Sequence, residues 1–124
     1  MDLGAFSISL AVKDIAASKA FYGKLGFEEM GGNAEQGWLI LNNGSKVIGL
    51  FQGMFPNNIM TFNPGWGQDA QPTDTFTDVR EIAAMLRADG LELADDTTGK
   101  SEAGPASFAV TDPDGNAILF DQHR

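Results

Sequence analysis

Apolar and polar residues alternate from the start of the chain. Phe6, Ile8, Leu10 and Val12 fall on one side of an extended run, and Ser7, Ser9 and Ala11 on the other. A period of two predicts a strand with one apolar face. Asp14 follows as a helix N-cap, with Ile15, Ser18, Tyr22 and Leu25 along one helical face, Phe21 beside them and Gly26 at the stop. Residues 27–30 read as a second strand. The apolar runs 38–41 and 47–51 are joined by Asn42-Asn43-Gly44-Ser45. Asn-Gly predicts a tight hairpin whose two central residues take positive φ. The first half thus reads strand, helix, strand, strand, strand.

The second half repeats the order. Residues 58–62 form a strand candidate. Asp78 caps a helix with Val79, Ile82, Ala83 and Leu86 at i, i+3, i+4 and i+7, and Gly90 ends it. A short strand at 91–94 and two longer ones at 106–110 and 117–121 complete the set. Asp112-Pro113-Asp114-Gly115-Asn116 suits a type I turn with Pro at its second position. One constant shift lays Asp14 on Asp78, Ile15 on Val79, Tyr22 on Leu86 and Gly26 on Gly90. The shift is about half the chain, as a duplicated unit requires. The expected fold class is α+β: one domain over residues 1–124, built of two βαβββ modules at about 1–53 and 54–124.

Two stretches carry a family resemblance. The first runs Ile8-Ser9-Leu10-Ala11-Val12-Lys13-Asp14-Ile15-Ala16-Ala17-Ser18-Lys19-Ala20-Phe21-Tyr22, followed by Leu25-Gly26-Phe27; the second is Asp112-Pro113-Asp114-Gly115-Asn116. Together they resemble the opening strand and helix and the last hairpin of the glyoxalase/bleomycin resistance/dioxygenase (vicinal oxygen chelate) superfamily. The resemblance implies a curved mixed sheet around a cleft, often in a homodimer. It also shows a departure. Metal enzymes of the family carry a His where this chain has Ser7 and a Glu where it has Leu119. The pseudo-equivalent position on the fourth strand is Ile48, and residues 58–63 contain no His. Serine, leucine and isoleucine supply no imidazole or carboxylate, so no metal and no cofactor are expected.

Composition narrows the partners. The 124 residues carry a formal net charge of −9 and no cysteine. An acidic field repels phosphate backbones and anionic lipid, so neither nucleic acid nor membrane is an expected partner. Without cysteine there is no disulfide and no thiolate chemistry. No apolar run approaches a membrane span, and Met1-Asp2-Leu3-Gly4 does not resemble a signal peptide, so a cytoplasmic protein is expected.

The candidate contacts follow from the faces of the strands. Ile8, Leu10 and Val12 should pack on helices, leaving Ser7 and Ser9 toward the cleft with Ile48, Leu50 and Leu119. Asp121 and His123, two residues apart, form either a polar pair at the cleft mouth or a solvated end. Trp66 lies in a long loop, residues 63–77, where it either plugs the sheet or touches a ligand. The expected ligand-binding set is therefore Ser7, Ser9, Ile48, Leu50, Trp66, Leu119, Asp121 and His123, with no catalytic residue assigned. Three functions are open at this point, the third being a partner-binding dimer with a vestigial cleft. One is metal-free binding of a small organic ligand, as in sequestering a drug, toxin or metabolite. Another is a lyase, isomerase or dioxygenase with a relocated metal or metal-free chemistry.

Overall fold

A computed structural model describes residues 1–124. Seven strands and two helices make up an α+β fold with a mixed sheet. In chain order they are β1 (Ala5–Val12), α1 (Ile15–Lys24), β2 (Glu28–Asn33), β3 (Trp38–Asn43), β4 (Lys46–Gln52), β5 (Ile59–Asn63), α2 (Val79–Ala88), β6 (Ala106–Thr111) and β7 (Ala117–Gln122). The chain gathers into two compact units. Ser7–Ile59 forms one; Met1–Phe6 joins Met60–Arg124 in the other.

In the unit Ser7–Ile59 the strands lie in the order β2-β3-β4-β1, with β1 parallel to β4 and the other pairs antiparallel. Ile8 is the partner of Ile48, and Leu10 of Leu50. Partners across a ladder point to the same face. Leu50 is accordingly fully buried with Ile15, Leu39 and Leu41, and Ile48 packs on that cluster with Leu10, Val12, Tyr22 and Phe27. This corrects the expectation that Ile48 and Leu50 line a cleft wall. If Leu10 faces α1, its ladder partner must face α1 as well. The helix is shallower than its sequence suggests: Ile15 is its one buried residue, and Leu25 is 56% exposed. Leu25 is the C-cap, with ψ near 2°, so it leaves the helical stripe.

The hairpin between β3 and β4 forms as expected, but one residue later. Asn43 pairs with Lys46, so the central residues are Gly44 and Ser45. Gly44 has φ of 60°. A hairpin turn with glycine first needs positive φ at that position alone, so Asn43 keeps its strand conformation.

In the other unit the strand order is β5-β7-β6. Val79, Ile82 and Ala83 of α2 are buried against Ala106, Phe108, Val110 and Phe120. Four phenylalanines form a chain of ring contacts from this core to the exposed Phe6. Phe120 stacks on Phe108 at 4.7 Å and on Phe62 at 5.4 Å, and Phe62 meets Phe6 at 5.1 Å. The strand expected at 91–94 is reduced to one bridge, Ala94 with Ala109. Asp95 takes a left-handed φ of 51° and ends the extended run. The chain rejoins the β6 edge at Thr97, whose N–H donates to the Ser107 carbonyl at 2.9 Å and whose hydroxyl accepts from the Ser107 N–H at 2.9 Å.

Both helices start in the same way. Asp14 accepts from the Ala17 N–H, and Asp78 from the Arg80 N–H. In each unit a glutamine ending the last strand then caps the first helical amide. Gln52 Oε1 accepts from the Ile15 N–H at 2.8 Å, and Gln122 Oε1 accepts from the Val79 N–H at 2.8 Å. Gln122 is 1% exposed, and its Nε2 donates among Asp78 Oδ2, the Gly104 carbonyl and the Arg124 carbonyl. Burial alone would raise the Asp78 carboxyl. The bonds from the Arg80 N–H, Gln122 and the Arg80 side chain outweigh it and hold the group below its ordinary value.

Gln122→Leu roughly keeps the volume of the side chain, strands the buried Val79 N–H and removes one of the bonds to the Asp78 carboxylate, which keeps those from Arg80. We expect a loss of about 2–4 kcal/mol. Gln52 is exposed, and there water replaces the lost bond, so Gln52→Leu should cost about 1 kcal/mol. Urea unfolding of both variants measures the difference; equal losses would contradict the buried-cap account.

Candidate functional site

The long loop expected at 63–77 is a pinned strap. Trp66 bridges Pro72, the Gly67 N–H donates to the Gln71 carbonyl at 3.0 Å, and the Thr73 N–H donates to the Gly65 carbonyl at 3.0 Å. Gln68 clamps the main chain of Phe6. Its Oε1 accepts from the Phe6 N–H, and its Nε2 donates to the Phe6 carbonyl at 2.9 Å. One side-chain amide thus does what a neighbouring strand residue would do.

The residues after β7 hold the other side of the strap. Trp66 and His123 stack nearly parallel, with ring centroids 4.6 Å apart and planes at 12°. His123 Nε2 lies 3.2 Å from Asp121 Oδ2. Arg124 sits over the Phe76 ring at 4.4 Å and donates to the Gly65 carbonyl at 3.1 Å and the Thr73 carbonyl at 2.7 Å. Gly65 leaves room for this approach: at its φ of 90°, a Cβ would lie 2.6 Å from Arg124 Cδ. Asn63 completes the seam by donating to the Asp121 carbonyl at 2.8 Å.

In this array the last residues pack on the strap. Asp121 and His123 are a polar pair, and the end is held in place. Phe120 and Gln122 point to α2, so alternation turns Leu119 and Asp121 to the opposite face of β7. The hydrogen bond that His123 donates to Asp121 raises the pKa of the imidazole above 6.5; burial pulls it down by less, and the Asp121 charge adds to the rise. The site therefore offers an aromatic platform, a titratable pair and an apolar neighbour.

The remaining expected contacts lie elsewhere. Ser7 and Ser9 belong to the unit Ser7–Ile59, with Ser9 buried within β1. Ile48 and Leu50 lie in the α1-side core. Arg124 and Phe76 join the array without having been expected there. Neither stands in a periodic pattern, and a single arginine has no sequence signature for stacking. A separate shallow groove of about 290 Å³ runs between residues 91–94 and Ala109, Val110 and Thr111. It contains none of the expected contacts.

The metal that the family resemblance implies does not fit these side chains. Ser7 and Leu119 carry neither imidazole nor carboxylate, and Ile48 is packed into a hydrophobic cluster. No group of three or more His, Cys, Asp or Glu is placed to hold an ion. A catalytic divalent site needs such donors in number.

Known proteins share this fold. A member of the same superfamily from Vibrio splendidus is 19% identical, covering 94% of this chain and 97% of its own, with a TM-score of 0.64. A structure described as an NAD-dependent benzaldehyde dehydrogenase from Legionella pneumophila is 14% identical, covering 96% of this chain and 99% of its own, with a TM-score of 0.66. A variant of homoprotocatechuate 2,3-dioxygenase from Brevibacterium fuscum is 16% identical with a TM-score of 0.56; the match covers 99% of this chain and 32% of that larger one. No curated protein sequence matches. The family model for the Glyoxalase/Bleomycin resistance protein/Dioxygenase superfamily matches residues 4–120, and the chain belongs to that superfamily.

Proposed function

We propose that this chain is a metal-independent small-molecule-binding protein. Its ligand rests on the array of Trp66, Leu119, Asp121 and His123, and its role is to sequester a drug, toxin or metabolite. The observation that carries this reading is the Trp66–His123 stack with its Asp121 partner, set beside β7's apolar Leu119. Aromatic and apolar surface with a few placed polar groups is the usual make-up of a small-molecule site. Asp121 and the net charge of −9 favour neutral or cationic compounds over anions.

A specific observation supports an enzyme as the second reading. His123 Nε2 lies 3.2 Å from the Asp121 carboxylate, which raises the pKa of the imidazole, and such a pair is a usual arrangement for general acid–base catalysis. Lyase or isomerase chemistry would then use His123 with Asp121, without a metal; dioxygenase chemistry would need a donor set that these residues do not form. Turnover of a metabolite panel, abolished by His123→Gln, favours this reading. Binding without turnover favours the first.

A thermal-shift screen of neutral and cationic organic compounds tests binding, because a ligand of the folded state stabilises it by mass action. Hits should change Trp66 fluorescence in a Trp38→Phe background. Leu119→Glu should weaken neutral hits by about tenfold or more, since it sets a charge against apolar ligand surface. A neutral hit that binds folded Leu119→Glu as well as the parent rejects this site.

Two further outcomes are expected. After incubation with Zn, Ni, Mn or Fe and dialysis, elemental analysis should find far less than one ion per chain. We also propose a homodimer in the cytoplasm, motivated by Phe21 and Leu25 on and just after α1, which are 58% and 56% exposed. Light scattering should give twice the chain mass of 13.2 kDa. A value at the chain mass at all micromolar concentrations contradicts the dimer.

A further inference from the structure

The seam between the strap and the last residues has two halves with different chemistry. At one end Arg124 sits over Phe76 and bonds two carbonyls, at Gly65 and Thr73. A guanidinium keeps its charge at any pH the protein survives, so this end is insensitive to protons. At the other end His123 lies flat against Trp66 and reaches Asp121. An imidazolium is held there twice, by the negative face of the indole and by the carboxylate; a neutral imidazole keeps an Nε2–H bond and plain stacking but loses the charge that strengthens both contacts.

We propose that the Trp66–His123 stack is a proton-operated latch: protonated His123 holds the indole down, and neutral His123 lets Trp66 swing out while Arg124 keeps the rest of the strap in place. The inference is independent of whether the array binds a ligand.

The charges around His123 support a simple titration. From β7 it faces the Asp121 carboxylate. Its neighbour Arg124 turns its guanidinium to the Gly65 and Thr73 carbonyls. From the strap it faces the uncharged Trp66, while Asp69 accepts from the Gln71 N–H. Asp121 is the charge that acts on His123. The sign follows from linkage. His123 is raised above 6.5 when stacked, so the latch is fully engaged below that value and is lost as pH rises through the higher stacked value.

The test uses the full chain as Trp38→Phe, leaving Trp66 as the one indole. Emission yield and acrylamide quenching are followed from pH 5.5 to 9, roughly the range over which a histidine titrates. Both should rise together across the transition. The population of swung-out indole should grow by about two- to fivefold, the range that a half-exposed ion pair supports. Asp121→Asn should move the midpoint to lower pH, and His123→Gln should remove the transition while the protein stays folded by circular dichroism. Arg124→Gln should leave the midpoint in place. A flat profile in the folded Trp38→Phe protein overturns the latch. So does a transition that survives His123→Gln, or a change in yield without a change in acrylamide access. None of these outcomes depends on a ligand, so failure here leaves the binding reading intact.

Discussion

A helix that begins at a sheet has a fixed problem: its first amides have no partner within the helix. At α2 the first of them, the Val79 amide, lies where water does not reach, and Gln122 meets the need from the end of β7. The bond ties the last strand to the start of the helix, and the other end of the same amide reaches Asp78, Gly104 and Arg124. That side chain fixes where β7 ends, so it also fixes the position from which His123 and Arg124 reach the strap. The first unit repeats the bond with Gln52 at an exposed site, where it aligns the helix and water can take its place. The two helices thus share one arrangement at their starts, an aspartate N-cap with a glutamine from a strand end on the first amide.

The strap depends on three different attachments. Gln68 supplies sheet-like bonds to Phe6, Arg124 supplies a permanent charge under two carbonyls, and His123 supplies a stack that depends on its proton. A loop with few apolar contacts is ordered here by polar contacts made at chosen points along it. This explains how a segment rich in Gly, Pro, Asn and Gln is ordered without a helix or a strand of its own.

The elements were legible in the sequence where a periodic pattern met a turn residue. The β1 alternation, the capped helices and the Asp112-Pro113-Asp114-Gly115-Asn116 turn are all present, the last closed by the Gly115 N–H on the Asp112 carbonyl at 3.1 Å. Three things were not legible. Which face of β4 meets α1 depends on its register with β1, and register is a long-range fact that periodicity within one strand does not contain. The failure of residues 91–94 to continue as a strand turns on one left-handed residue, Asp95, and aspartate is common in strands' flanks as well as in that conformation. The glutamine caps come from residues far along the chain, 37 and 43 positions from the amides they serve, and no local motif announces them. Of the candidate site, Trp66, Asp121 and His123 came together, whereas their anchors, Arg124 and Phe76, had no pattern to reveal them.

The bulge beside β6 has a consequence for solubility. β6 ends the order β5-β7-β6, and an outer strand is a template for another chain. Here Ala94 occupies one pairing position and Thr97 the next, with the left-handed Asp95 between them and a hydroxyl standing in for one main-chain partner. Asp95 is exposed at this patch, while Asp96 turns to an ion pair with Arg87 of α2 and to the Thr98 N–H and hydroxyl, which fixes the bend. An approaching strand would have to displace a bent segment that already uses the donors and acceptors of Ala109 and Ser107, and would bring its backbone against negative charge. The missing eighth strand therefore serves as a guard: a shorter, crooked border is harder to extend into a filament than a straight one.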